Sequence, residues 1–230
     1  MPRDMDDQRI VEGYTLGVFA SNTYIAAAKA GDAAVVIDPG QEAAPLVKER
    51  LAVHGLTLQS VLLTHGHLDH IWSAAAVADA AGVPAYIHPG DRYMLDDPGA
   101  ALGRMGMGKM EIETPADVRD LSDGDRFSFG DLELETRHTP GHTPGHCVFA
   151  TNGILFSGDL IFQSSIGRTD FPGGSLDELM ESIRRVVLPL DDDVVILSGH
   201  GPETTVGVER RSNPFVLADA RGELPRLLGL

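Results

Sequence analysis

The chain has 230 residues, 43% of them hydrophobic and 23% charged, an ordinary globular composition long enough for one large core or two small ones. Its formal net charge of −16 excludes a surface built to neutralise phosphates, so neither nucleic acid nor an anionic membrane is expected as a partner. One cysteine, Cys147, excludes an intrachain disulfide and fits a reducing, cytoplasmic setting.

The polar, acid-rich start from Met1 to Gln8 lacks the apolar segment of a secretory signal. No apolar run reaches the ~18–20 residues that span a bilayer. Leu16–Phe19 and Thr23–Ile25 read as short strands, and Ala33–Ile37 as another, stopped by the turn signal Asp38-Pro39-Gly40. Gln41–His54 has helical spacing, with Leu46, Val47 and Leu51 on one face. Val61–Leu63 is a buried strand, Ile71–Ala81 a helix ended by Gly82, and Ala85–Ile87 a strand before His88-Pro89-Gly90. The stretch from Asp91 to Ala116 carries Met94, Met105, Met107 and Met110 with weak periodicity. It reads as a loop or loose helical excursion, either a lid of adaptable apolar contacts or a surface insertion. Phe127–Phe129 and Leu132–Thr136 flank Gly130-Asp131, and Cys147–Ala150 and Ile154–Ser157 flank Asn152-Gly153, so each pair reads as a hairpin. Leu176–Val187 is an amphipathic helix and Val194–Leu197 a last buried strand, leaving Ser212–Leu230 as a mixed tail. Asp191-Asp192-Asp193 reads as a solvated turn and Cys147 as core. Without repeats or linkers the chain reads as one domain, 1–230. Strand pairs that come early and again after the middle, with helices between them, suggest two packed sheets with helices outside.

Between the Val61–Leu63 strand and the next helix lies Thr64-His65-Gly66-His67-Leu68-Asp69-His70. Three histidines and an aspartate on one tight turn are a ligand set for zinc or iron, because imidazole and carboxylate suit both. The same residue types recur where later strands stop. They are His138 to His146 in a run of Thr-Pro-Gly turns, Asp159 after Ser157-Gly158, and His200 after Ser198-Gly199. A lone histidine at any of these places would be unremarked, but the repetition points to a metal centre.

Thr64 to His70, Thr139-Pro140-Gly141-His142, Ser157-Gly158-Asp159 and Ser198-Gly199-His200 resemble the metallo-β-lactamase superfamily, in that family's order and over nearly the whole chain. The resemblance implies an α+β fold, an αββα sandwich of two mixed sheets flanked by helices, with metals at the sheets' edge. It implies His65, His67 and His142 around one divalent ion, Asp69, His70 and His200 around a second, and Asp159 bridging them. Two ions, zinc first and iron or manganese otherwise, would share a hydroxide as nucleophile. Asp69 and Asp159 would be the catalytic carboxylates, with Asp69 orienting the hydroxide. His146 is read as a residue donating to a carboxylate or to substrate, and His138 as a structural turn residue.

Within the superfamily, Phe156–Phe162, Ile166–Gly174, Gly199–Thr205 and Glu209–Phe215 look like the glyoxalase II (hydroxyacylglutathione hydrolase) group, and most like its short bacterial members. That resemblance implies a thioesterase cleaving an S-2-hydroxyacyl thiol, a small-molecule substrate such as S-D-lactoylglutathione, with metal stabilising the oxyanion. The persulfide dioxygenases, which use one iron, share the ligands and the Gly167-Arg168-Thr169-Asp170 run and stay as the alternative. A metal-binding relative without turnover is a third reading. The Asp at 159 sets the chain apart from zinc β-lactamases, and the want of added domains and the acidity set it apart from RNA-processing members. Long glyoxalase II enzymes end in a helical domain that supplies basic residues for glutathione. This chain is read as having none, and it has only three lysines, Lys29, Lys48 and Lys109. Arg168 stands near the place of a thiol-contacting lysine. It is expected either to bind a substrate carboxylate or to be tied to Asp170.

Overall fold

A computed structural model describes residues 8–99 and 112–224. The first sheet holds β1 (Ile10–Leu16), β2 (Ser21–Ala27), β3 (Ala33–Ile37), β4 (Thr57–Leu62), β5 (Ala85–Ile87) and β6 (Val118–Asp120), in that spatial order. Its first three strands are antiparallel and its last four parallel. The second sheet is built from β7 (Arg126–Phe129), β8 (Leu132–His138), β9 (Cys147–Thr151), β10 (Ile154–Gly158), β13 (Val195–Ser198) and β14 (Thr204–Thr205), in the order β14-β13-β10-β9-β8-β7. A small hairpin, β11 (Ile161–Phe162) and β12 (Ser165–Ile166), projects from β10.

Alternation along the strands explains the layering. On β2, Tyr24 and Ala26 face the second sheet and meet Phe129, Leu134, Phe149, Phe156 and Leu197. Ile25 and Ala27 face the other way, onto α1 (Ala43–His54) and α3 (Ala74–Ala81) through Val47 and Val77. The second sheet's outer face, Val148, Leu155 and Ile196, packs on α5 (Leu176–Ser182) and on α7 (Pro214–Ala220) through Leu179, Met180 and Val216. Strands buried on both faces read as continuous apolar runs, as β3 does. The result is the α+β, αββα sandwich.

Several elements depart from the sequence expectation. Leu16–Phe19 is not a strand. It ends β1 and forms the turn to β2, with Val18 81% and Phe19 37% exposed, so two apolar side chains there imitate a strand without being buried. The helix expected over Ile71–Ala81 is two, α2 (Leu68–Ile71) and α3, because the Ser73 N–H donates to Pro39 O (2.9 Å) and leaves the helical ladder. The Leu176–Val187 helix widens to a π-helical turn over Ile183–Val187. The tail expected from Ser212 includes α7, which follows α6 (Val206–Ser212). In the 91–116 stretch the structure shows α4 (Tyr93–Asp96). Met105, Met107 and Met110, and with them the choice between lid and insertion, lie outside the described residues. Among the described residues no helix is long and apolar enough to cross a membrane.

One ion-pair cluster ties β1 to α1. Glu12 accepts from Arg50 Nε and Nη2 (2.9 and 2.7 Å) and from Tyr14 Oη (2.8 Å), and lies 2.8 Å from His54 Nε2. The Arg50 hydrogen bonds bring the Glu12 carboxyl from its ordinary 4.5 down to about 2, against the opposing effect of burial. A depressed carboxyl stabilises the fold fully above its unfolded pKa and loses that contribution as pH falls through the folded value. Glu12→Gln is therefore expected to cost about 1 kcal/mol at neutral pH. In urea melts across pH that gap should close between 4.5 and about 2. A gap that stays constant to the acid end would contradict the assignment.

Candidate metal centre

Every residue of the ligand-like set lies where a strand ends on one edge of the sandwich. β4 runs into the turn bearing His65 and His67, and α2 carries Asp69 and His70. The loop between β8 and β9 carries His142, the end of β10 precedes Asp159, and the end of β13 precedes His200. His65, His67, His70, His142 and Asp159 are buried.

The structure brings these side chains into two groups. The donor atoms of His65, His67 and His142 lie within 4.8 Å of one another, and so do those of Asp69, His70 and His200. In the second group His70 Nε2 is 3.4 Å from both Asp69 Oδ2 and His200 Nε2, and His200 Nε2 is 3.1 Å from Asp69 Oδ2. Asp159 reaches both groups. Its Oδ2 is 3.5 Å from His142 Nε2 and its Oδ1 is 3.5 Å from His70 Nε2. A coordination cage with bonds of about 2.1 Å has edges of roughly 3.0–3.4 Å, so donors at these separations have the spacing of ligands around a cation.

The hydrogen bonds behind the rings fit the same purpose. Thr64 Oγ1 donates to Asp38 Oδ2 (2.6 Å), so its oxygen can only accept from His65 Nδ1 (3.0 Å). His70 Nδ1 donates to Asp38 Oδ2 (3.0 Å), His142 Nδ1 to Arg168 O (2.7 Å) and His200 Nδ1 to Ala20 O (3.2 Å). With Nδ1 committed, each ring turns its Nε2 lone pair inward, the arrangement by which an outer partner fixes the tautomer of a metal ligand. His65 Nε2, His142 Nε2 and Asp159 Oδ1 are buried without a hydrogen-bond partner. Orphaned buried acceptors are costly, and a cation is what would satisfy these three at once.

Electrostatics divide the groups. Burial, then the neighbouring histidines, hold His65 well below its ordinary pKa, and burial lowers His67 and His142 too. All three are thus in the neutral, ligating form. Burial opposes charge on His70 and His200 as well, but Asp69 and Asp159 outweigh it and raise both. Burial likewise works against the Asp69 carboxylate, yet His70 and His200 keep it well below the usual range. Surroundings this negative favour a proton on those rings and would favour a divalent cation more.

Other expected residues stand elsewhere. His146 is fully buried behind Asp159, not on a substrate's side. Its Nε2 accepts from the Asp159 N–H (3.1 Å), and its Nδ1 therefore donates to Thr139 Oγ1 (2.8 Å). Of the two partners expected for His146, carboxylate or substrate, the structure shows neither: its ring bonds the Asp159 N–H and the Thr139 hydroxyl and so supports the Asp159 backbone. Arg168 sits at the rim, tied to Asp170 by two 2.7 Å bonds and stacked 3.7 Å from the centre of the Phe171 ring, which meets the His67 ring edge-on. His138 stacks on His88, and Cys147 is core. Asp192, in the acidic turn, meets Arg210 and Arg211.

Two acids were missed in the sequence. Asp38 holds Thr64 and His70, as above, and also accepts from the Thr64 N–H (2.7 Å). Asp91, with no exposed surface, accepts from Gly66 N (3.0 Å), Gly145 N (2.7 Å) and Thr143 Oγ1 (2.5 Å). It thereby fastens the loop of His65 and His67 to the loop of His142. Both acids stand at Pro-Gly turns after a strand, the same placement that singled out the ligands, and that signal could have found them.

Known proteins resemble this chain in sequence and fold. The chain is 40% identical over 186 residues to the hydroxyacylglutathione hydrolase GloC of Haemophilus influenzae, covering 80% of this chain and 87% of that protein. Among solved structures it resembles the BLEG-1 B3 metallo-beta-lactamase, with TM-score 0.81 and 35% identity over 90% of this chain and 99% of that one. TTHA1623, solved in a di-iron-bound form, matches with TM-score 0.75 and 37% identity over 89% and 100% of the two chains. ETHE1 from Myxococcus xanthus matches with TM-score 0.76 and 25% identity over 96% and 90%. The metallo-beta-lactamase superfamily model matches residues 16–200, the span that holds every donor described above, and the chain belongs to that superfamily.

Proposed function

We propose that the protein is a two-metal thioesterase of the glyoxalase II type, cleaving an S-2-hydroxyacyl ester of a low-molecular-weight thiol. The observation that carries this reading is Asp159, whose two oxygens reach both donor groups at 3.5 Å. A carboxylate so placed suits a pair of ions better than one. The likeness to GloC supports the substrate class. Bound in the two groups, divalent ions, zinc first among the candidates, would acidify a water and polarise the thioester carbonyl.

The chain's own residues do the rest. Asp69, kept ionised beside His70 and His200, is placed to accept a hydrogen bond from the attacking water and orient it. Asp38, Thr64 and the Arg168 carbonyl keep the imidazoles in the ligating tautomer. Arg168 and Phe171 form the rim beside His67. Asp170 already offsets the Arg168 charge, so the rim offers a flat apolar and polar face more than a free cation. That suits a broader range of thiols than glutathione alone.

The likeness to ETHE1 keeps a second reading, an iron-dependent persulfide dioxygenase using the first group alone. Paired assays separate the two. Thiol release from S-D-lactoylglutathione, without oxygen uptake on glutathione persulfide, is the expected result. Oxygen uptake without thioester cleavage would replace the hydrolase with the dioxygenase.

A further inference from the structure

Strand β2 is buried along its whole length, yet it opens with Ser21, Asn22 and Thr23 before turning apolar at Ile25. Buried polar side chains are tolerated when each is bonded, and the partners of these three are informative. The Ser21 hydroxyl donates to the backbone oxygen of Asp69 (2.8 Å). The Thr23 hydroxyl donates to the backbone oxygen of Asp38 (2.8 Å), whose carboxylate holds His70. Asn22 Nδ2 donates to Ser198 O and to Gly201 O, both at 2.9 Å, and the Asn22 N–H donates to Gly199 O (2.7 Å). Tyr24 Oη adds a bond to Ser198 O (2.6 Å), and Ser21 pairs with His200 in an isolated β-bridge. One residue, Asn22, therefore engages the carbonyls on both sides of His200. Its Oδ1 is fixed in turn by the Thr15 hydroxyl (2.7 Å), so the amide cannot be turned over without setting oxygen against oxygen.

The second donor group is Asp69, His70 and His200, and each is reached from one residue at the head of β2. The first group rests on other supports, Thr64 behind His65, Arg168 O behind His142, and Asp91 between their loops, and shares only the link from Thr23 through Asp38, which also accepts from Thr64. We infer that Ser21 and Asn22 are the positioning element of the second group alone, with Asn22 setting the place of His200. The inference rests on the two-metal reading for its metal arm and on the fold alone for its spectroscopic arm.

Asn22→Asp tests it, because the shape is kept while a carboxylate faces two carbonyls that need a donor. In the metal-free protein, imidazole NMR signals of His200 are expected to shift while those of His65 and His142 stay. In cobalt titrations the variant is expected to take its first ion as the wild type does and its second about 10- to 100-fold more weakly. Thr15→Val, which frees the Asn22 amide without adding charge, is expected to give a smaller change of the same kind. An unmoved His200 signal overturns the inference, and so does an equal disturbance of both groups, which would mean a general loss of structure. A wild type that takes only one ion would sink the two-metal proposal instead, and the NMR comparison would still decide the role of Asn22.

Discussion

Asp159→Ala is expected to lower thioester turnover by at least about a thousandfold and to release about one ion per chain, while leaving the fold in place. The reason is the placement of the carboxylate. Oδ1 is buried with no hydrogen-bond partner, so truncation breaks no hydrogen bond there, and what the metal-free protein loses is a charge facing His70 and His200. What it removes is the atom pair shared between the groups of His142 and His70. Metal analysis of the purified variant and melting with and without chelator check this directly. Ions that bind only the folded state raise its melting temperature, so the gain on adding metal should shrink in the variant while the chelated melting point stays close to wild type. Unchanged turnover with full metal content would reject the joining role of Asp159.

Asp91→Ala is expected to do the opposite, damaging the fold before the chemistry. It would leave the N–H groups of Gly66 and Gly145 buried without acceptors, along with the Thr143 hydroxyl. Each unsatisfied buried group costs about 1–3 kcal/mol, so a loss of about 3–5 kcal/mol is expected, or roughly 10–15 °C in melting temperature for a chain of this size. Neither loop has room to close over the gap by gaining bulk. A Cβ on Gly66 would sit 2.8 Å from Met94 Cβ, and one on Gly145 would sit 2.6 Å from the Asp91 backbone nitrogen, which the substitution leaves in place. Melting in the presence of chelator separates this loss from any loss of metal. A fall of less than about 3 °C would show that the loops find other partners.

The positions of the clustered donors were legible because each is a local event. His65, His67, Asp69 and His70 fall within one turn, and His142, Asp159 and His200 each follow a strand at a glycine or proline turn. The two-sheet sandwich was legible for a related reason, since apolar runs and turn dipeptides mark strands without knowledge of their partners. The supports of the ligands were hidden. Asp91 bonds across 25, 52 and 54 residues and Asn22 across 176 and 179. Asp and Asn are also commonplace in turns, so even the Pro-Gly turn beside Asp91 does not reveal the distant groups it bonds. Exposure misled at Leu16–Phe19, where apolar side chains stand in solvent. The helices α6 and α7 did carry start signals that went unused. The Thr205 hydroxyl accepts from Val208 N, and Asn213 Oδ1 caps α7 with Pro214 in the first turn.

The bond from Asn22 to Ser198 also orders events in time. It closes a loop of 176 residues, whereas the three-histidine group is complete once the chain has been made as far as His142. A ribosome adds roughly 5–20 residues per second, so seconds pass in which one donor group has all its members and the other still lacks His200. Doubling a loop adds only about 0.6 kcal/mol of closure entropy, so the finished pairing is barely weakened by its span. The price of the long reach is delay: the polar head of β2 waits in water for a partner from the far end of the chain.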